Sequence, residues 1–191
     1  HNAVRDYIDV QGNGFWYAVF YGTLLGSMRD GDLIDWDTNI DIVVPKEYLA
    51  GTDKATWLAK LLEAAAANMD PPYYYDHGAT SAKIYLSEVN SGHMVIWSAE
   101  GFDPQDPQPC VHIGNDVYPA QTAFPLQECP LQHNSFPCFA KSTSYLELHY
   151  GKKWRARGTS KLISEVTISQ ISNLWRGPAV PAACSHDLIF W

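Results

Sequence analysis

The chain of 191 residues has no apolar run long enough to cross a membrane. Its longest apolar stretch with helical spacing, WLAKLLEAAAA, is broken by Lys60 and Glu63 and is too short for a span of roughly 20 residues. Charge is also scarce, at 18% Asp, Glu, Lys and Arg, and the balance is acidic, with a formal net charge of −8. The basic footprint that grips a nucleic-acid backbone is missing, so no nucleic-acid partner is expected. There is no Cys-x-x-Cys pair, which argues against a zinc ribbon or a dithiol redox centre. Cys110, Cys129, Cys138 and Cys184 lie far apart in the second half and permit two disulfides in three connectivities. Disulfides imply the secretory pathway or the extracellular space; four reduced thiols in a cytoplasmic protein are the alternative. No Asn-x-Ser/Thr sequon is present.

What is abundant is apolar and aromatic. Hydrophobic residues make up 46% of the chain, with seven Trp and eleven Tyr. That composition fits one globular domain with a sizeable core and either aromatic packing or an aromatic-lined cleft. The element pattern is α/β. Residues 1–12 read as a short helix, and GFWYAVF (14–20) as a buried strand. A helix follows from Gly22-Thr23 through Leu24, Leu25 and Met28 and stops at Gly31. NIDIVV (39–44) is a β-branched strand closed by Pro45. Asp53 caps the clearest helix, 53–69, whose apolar face is Trp57, Leu58, Leu61 and Leu62. Strands at 82–86 and 93–98 flank a turn at Asn90-Ser91-Gly92, and 143–154 reads as a helix ended at Gly151. Residues 1–154 thus form the domain, and 155–191 an extension packed on it. Asp116 reads as part of the loop-to-strand run before Phe124-Pro125-Leu126.

The chemistry concentrates in YGTLLGSMRDGDLIDWDTNIDIVV, residues 21–44. A strand, Gly22-Thr23 and then a helix put free N–H groups and the positive helix end at a strand exit, which suits a phosphate. Acidic residues two apart on the next strand share a face, because strand side chains alternate. Two carboxylates beside a phosphate turn can hold Mg²⁺ or Mn²⁺ against a nucleotide diphosphate. An acidic surface loop ahead of a strand would give the same pattern without a site.

This stretch resembles the signature of the LicD/fukutin family: Tyr-Gly-Thr-Leu-Leu-Gly, an Arg, a Gly-containing turn, Ile-Pro-Trp-Asp and an Asp-x-Asp strand. SAKIYLSEVNSGHMVIW resembles the family's next hairpin, and AFPLQECPLQHNSFPCFAKSTSYLELHYGKKW its closing module; the three blocks cover roughly residues 14–154. The resemblance implies a single-domain α/β (α+β) fold with a nucleotidyltransferase-like mixed sheet flanked by helices. It also implies metal-dependent transfer of phosphocholine, ribitol phosphate or sugar phosphate from a nucleotide donor to a glycan. The match carries over Gly22 and Thr23 as the phosphate turn, with Arg29, Trp36, Asp37 and Asp41.

The departures fall on the metal ligands. Asn39 stands where the family has the first Asp of Asp-x-Asp, Val95 (or Ile96) where the hairpin strand carries its Asp, and Asp35 where a Pro precedes Trp36. An amide brings a ligand oxygen but no charge, and Mg²⁺ surrenders its waters reluctantly. The favoured expectation is therefore loss of two-metal phosphoryl transfer, no cofactor, and a cleft reused for metal-independent catalysis on a small organic molecule, or for binding one. Arg29, Asp35, Asp37, Asp41, Lys83, Tyr85 and His93 would line it, with His93 as acid or base. In the alternative, phosphotransfer survives on Mg²⁺ or Mn²⁺ held by Asp37, Asp41 and accessory Asn39, with Lys152, Lys153 and Arg155 on the phosphate. A third reading is a non-catalytic, disulfide-stapled secreted protein that binds a glycan or other partner through aromatics such as those of DPPYYYDHG (70–78).

Overall fold

A computed structural model describes residues 16–50, 73–76, 81–85, 92–101, 110–114 and 116–156. The expected helices at 1–12 and 53–69, the turn residues Asn90 and Ser91, and the 157–191 segment lie outside them.

The sheet is organised around two strands whose β-branched residues pack on both faces. β1 (Ala18–Val19) pairs antiparallel with β2 (Asn39–Pro45), and β2 pairs parallel with β5 (His93–Glu100). On the far side of β5 come β4 (Ser81–Tyr85) and β3 (Tyr73–Asp76), both antiparallel to their neighbours. The end of β5 also pairs with β6 (Cys110–Ile113), which pairs with β7 (Asp116–Pro119). The result is the expected mixed sheet, seven strands among the described residues. Ile42, Val43, Val44 and Ile96 are buried on its two sides.

The helix after β1 is α1 (Tyr21–Asp30). It stops where the sequence says it should: Gly31 adopts φ 69°, a left-handed conformation open to glycine, and its N–H donates to the Ser27 carbonyl at 3.0 Å. Of the strand expected over 14–20, the described residues 16–20 are regular at Ala18–Val19, and Phe20 turns into α1. A one-turn helix α2 (Glu47–Ala50) follows β2, and another, α3 (Ala120–Ala123), follows β7.

The closing module is a hairpin, β8 (Gln127–Leu131) and β9 (Asn134–Cys138), followed by α4 (Ser142–Tyr150). Cys129 and Cys138 are bridged across the hairpin with Cα atoms 5.8 Å apart. This module is fastened to the sheet by aromatic packing. Phe20 lies against Phe139 (centroids 5.6 Å apart) and Tyr145 (5.3 Å), and Tyr145 against Tyr118 (5.2 Å). All four are buried, as is Trp154 beyond α4. Each ring buried here contributes on the order of 2–3 kcal/mol, so the hairpin and α4 belong to the same cooperative unit as the sheet.

Candidate functional site

The parallel register of β2 and β5 aligns the candidate residues in rows. Asn39 faces His93, which faces Tyr85 on β4; Asp41 faces Val95, which faces Lys83. Direct ladder partners point to the same side of a sheet, so these six residues share one face. The hairpin position that the resemblance assigned to Val95 or Ile96 is resolved by this register: Val95 is the residue beside Asp41, and it is buried. His93 stacks on Tyr85 with ring centroids 5.1 Å apart, and its N–H donates to the Thr38 carbonyl at 3.0 Å.

Asp41 is the most constrained member. Its Oδ2 accepts from the Asn39 side-chain amide at 2.9 Å, and its Oδ1 from the Trp97 indole N–H at 3.0 Å. Its backbone N–H donates to the Thr23 hydroxyl at 2.8 Å, which joins α1 to β2. Burial raises its carboxyl, opposed by the Trp97 hydrogen bond and aided by the nearby Asp37 charge, so that it titrates at about 6 rather than 3.8.

Asp37 reaches the same place from the loop before β2. Its Oδ1 accepts the Asn39 backbone N–H at 3.3 Å. Its Oδ2 lies so close to Gly22 that a Cβ there would come within 2.5 Å of it, and within 3.9 Å of Asp41 Oδ2. The first turn of α1 therefore looks onto two carboxylates, with no side chain capping it. Asp35 and Asp32 point elsewhere: both are exposed, and Asp32 accepts the Leu33 N–H at 2.7 Å. Trp36 is 57% exposed beside the site.

Arg29 sits on α1, its side chain 4% exposed, and pairs with its neighbour Asp30 at 2.7 Å. Lys152 and Lys153 are exposed in the turn after α4, and Arg155 lies over the Trp154 ring at 4.2 Å.

A second polar centre adjoins the first, and sequence reading did not assemble it. Asp116 Oδ2 accepts from the Tyr21 and Tyr118 hydroxyls, each at 3.0 Å, and lies 3.9 Å from His149 Nδ1. The Tyr21 ring touches Trp97 (5.3 Å) on one side and His149 (4.8 Å) on the other. Tyr21 holds φ 37°, a strained value for a bulky residue that costs on the order of 1–3 kcal/mol. Burial, and then the charges of Asp41 and Asp37, raise the Tyr150 phenol above its ordinary range, which puts Tyr150 in the field of the first centre. Trp97 was findable, since it lies two residues beyond Val95 on the same strand face. His149 and Tyr150 were not, because only tertiary packing brings α4 to β7.

The LicD/FKTN/FKRP nucleotidyltransferase domain matches residues 14–141, well over half of the chain. The chain belongs to the LicD/FKTN/FKRP family. No curated protein sequence matches it. The match takes in the Gly22-Thr23 turn, the loop bearing Asp37, both central strands and the hairpin β8–β9 of this LicD-family domain. Among the described residues, no three His, Cys, Asp or Glu side chains converge on a common point.

Proposed function

We propose that this LicD-family domain has given up two-metal phosphoryl transfer and uses its cleft, without metal, to bind and act on a small organic molecule. The observation that carries the reading is the ladder position of Val95 beside Asp41, with Asn39 as the next residue along that face. A carboxylate in place of either would add an interaction of about 4 kcal/mol per unit-charge pair at about 4 Å and an effective dielectric of about 20, doubled for a divalent ion. Two such losses amount to many powers of ten in affinity for a hydrated cation.

The donors around Asp41 support the same conclusion. A two-metal cradle needs carboxylate oxygens free to ligate, and both oxygens of Asp41 already take N–H donors. The residues present therefore do not fit a pair of divalent cations. Without cations, a phosphate approaching the first turn of α1 would meet Asp37 and Asp41, and repulsion from two carboxylates outweighs what a helix end supplies. An uncharged ligand meets no such barrier, and Val95, Trp97 and Tyr85 give it apolar surface. The Cys129–Cys138 bridge supports an oxidising setting, in the secretory pathway or outside the cell.

One observation favours the second reading, an active phosphotransferase: Asp37 and Asp41 both border the glycine of the phosphate turn. Calorimetric titration of the protein with Mg²⁺ and Mn²⁺, with and without CTP, separates the two. The proposal expects no nucleotide-coupled cation binding. Tight, coupled binding would establish the phosphotransferase instead.

A further inference from the structure

The centre built on Asp116 is separate from the Asp37–Asp41 pair and has the parts of a proton-transfer site. His149 stands on α4 with Nδ1 turned toward Asp116 Oδ2 at 3.9 Å. Its ring is fixed on the other sides by Tyr145, stacked at 5.7 Å with an interplanar angle of 7°, by Tyr21 at 4.8 Å and by Tyr150 at 4.9 Å. Asp116 is in turn fixed by the two phenol donors of Tyr21 and Tyr118. At 3.9 Å the contact is longer than a hydrogen bond, but the carboxylate charge on that side of the ring favours the proton on Nδ1 and the lone pair on Nε2. The His149 side chain keeps 23% of its surface exposed, against 14% for Asp116, so the imidazole is the more accessible member of the pair.

We infer that His149, oriented by Asp116, is a proton acceptor for the hydroxyl of an uncharged small molecule bound in this cleft. The ligand O–H bond breaks as an N–H bond forms at Nε2, giving an imidazolium stabilised by Asp116, and the reverse step returns the proton. No oxidant or metal takes part. The groups facing His149 are Asp116 from β7, Tyr21 from α1, and Tyr145 and Tyr150 from α4. All three phenols hold their protons, burial being the largest cause in each. Asp116 is thus the one anion opposite the imidazole among them. Burial lowers the His149 pKa and Asp116 partly restores it, leaving the ring neutral near neutral pH, the form a base requires. Asp37, Asp41 and Asp116 around the cleft disfavour an anionic ligand. The strained Tyr21 backbone fits this assignment, since its phenol and ring hold both members of the dyad.

The test uses the full chain and does not depend on cation binding at Asp41. Long-range ¹H–¹⁵N correlation spectra of ¹⁵N-histidine-labelled protein report the tautomer and titration of His149. Diethyl pyrocarbonate, which modifies only a neutral, accessible imidazole nitrogen, reports reactivity through peptide mass mapping. The inference expects the Nδ1–H tautomer at neutral pH, modification at His149 whose rate rises with pH through its titration, and a lower His149 pKa in Asp116→Asn. Tyr118→Phe, which spares the charge of Asp116, tests the same clamp should Asp116→Asn fail to fold, and is expected to shift the Nδ1–H/Nε2–H balance. An Nε2–H tautomer, or a His149 inert to the reagent in the folded protein, overturns the inference and leaves a packing histidine.

Discussion

Asp41 and Val95 are direct partners in the parallel ladder between β2 and β5, one a buried carboxyl and the other a buried isopropyl group. The family resemblance implies a carboxylate on both strands at this row. Here the charge is on one strand only, and the carboxyl is held by the Asn39 amide and the Trp97 indole. Much of the behaviour of the domain follows from that arrangement.

The first consequence is a pH-dependent stability. Asp41 titrates at about 6 in the folded chain against 3.8 for the free side chain, so the folded state binds the proton more tightly than the unfolded state. Its contribution is fully present below the lower value and is lost as pH rises through the upper one, by roughly 2–3 kcal/mol. Other carboxylates titrate in the same region, so the quantity to measure is the difference in urea unfolding free energy between the protein and Asp41→Asn. That difference should fall across the window between the two values and level off above it. Trp97→Phe removes a donor that favours the ionised carboxyl, so its window should extend to higher pH.

Gly22→Ala probes the contact between α1 and Asp37. The new methyl would lie 2.5 Å from Asp37 Oδ2, the end of a side chain that can rotate away. The helix gains up to about 1 kcal/mol from replacing glycine, which offsets the displacement. Thermal and urea unfolding should therefore change by no more than about 1 kcal/mol, whereas a loss above about 3 kcal/mol would mean that Asp37 is fixed against Gly22.

The Cys129–Cys138 bridge closes a loop with a sequence separation of 9 in the closing module. Chain-entropy reasoning gives about 2–3 kcal/mol for a loop of that size. The double variant Cys129→Ala/Cys138→Ala should unfold at correspondingly lower urea. Because Phe139 and Tyr145 pack on Phe20, the loss should appear in one cooperative transition rather than as a separate melting of the hairpin.

The sequence made some of this legible and hid the rest for physical reasons. The strand at 39–45 and the helix from 21 to 30 were readable because β-branched alternation and a Gly31 stop are local signals. Strand spacing also put Asn39 with Asp41, and the family pattern pointed to Val95 or Ile96 on the hairpin strand; the ladder sets Val95 beside Asp41. The strand expected over 14–20 stops short of its C-terminal end, because an apolar run does not distinguish strand from the buried turn at Phe20. The helix in 143–154 ends where its Gly151 stop implied, with α4 running to Tyr150 and Gly151 as its C-cap. His149, Tyr150 and Asp116 carry no local mark of a site; tertiary packing, with Tyr118 on Tyr145 and His149 beside Asp116, brings β7 and α4 together. Arg29 was expected in the cleft by its place in the motif; in the fold its guanidinium pairs with Asp30.

The proposed loss of metal chemistry rests on two side chains, Asn39 and Val95. The most direct measurement is calorimetric titration of Mn²⁺ with CTP into the unmodified protein and into Asn39→Asp/Val95→Asp, after thermal unfolding has shown both to be folded. The account predicts no nucleotide-coupled binding by the unmodified protein and clear binding by the double variant. Equal, tight binding by both proteins would contradict it and return the domain to the active phosphotransferases.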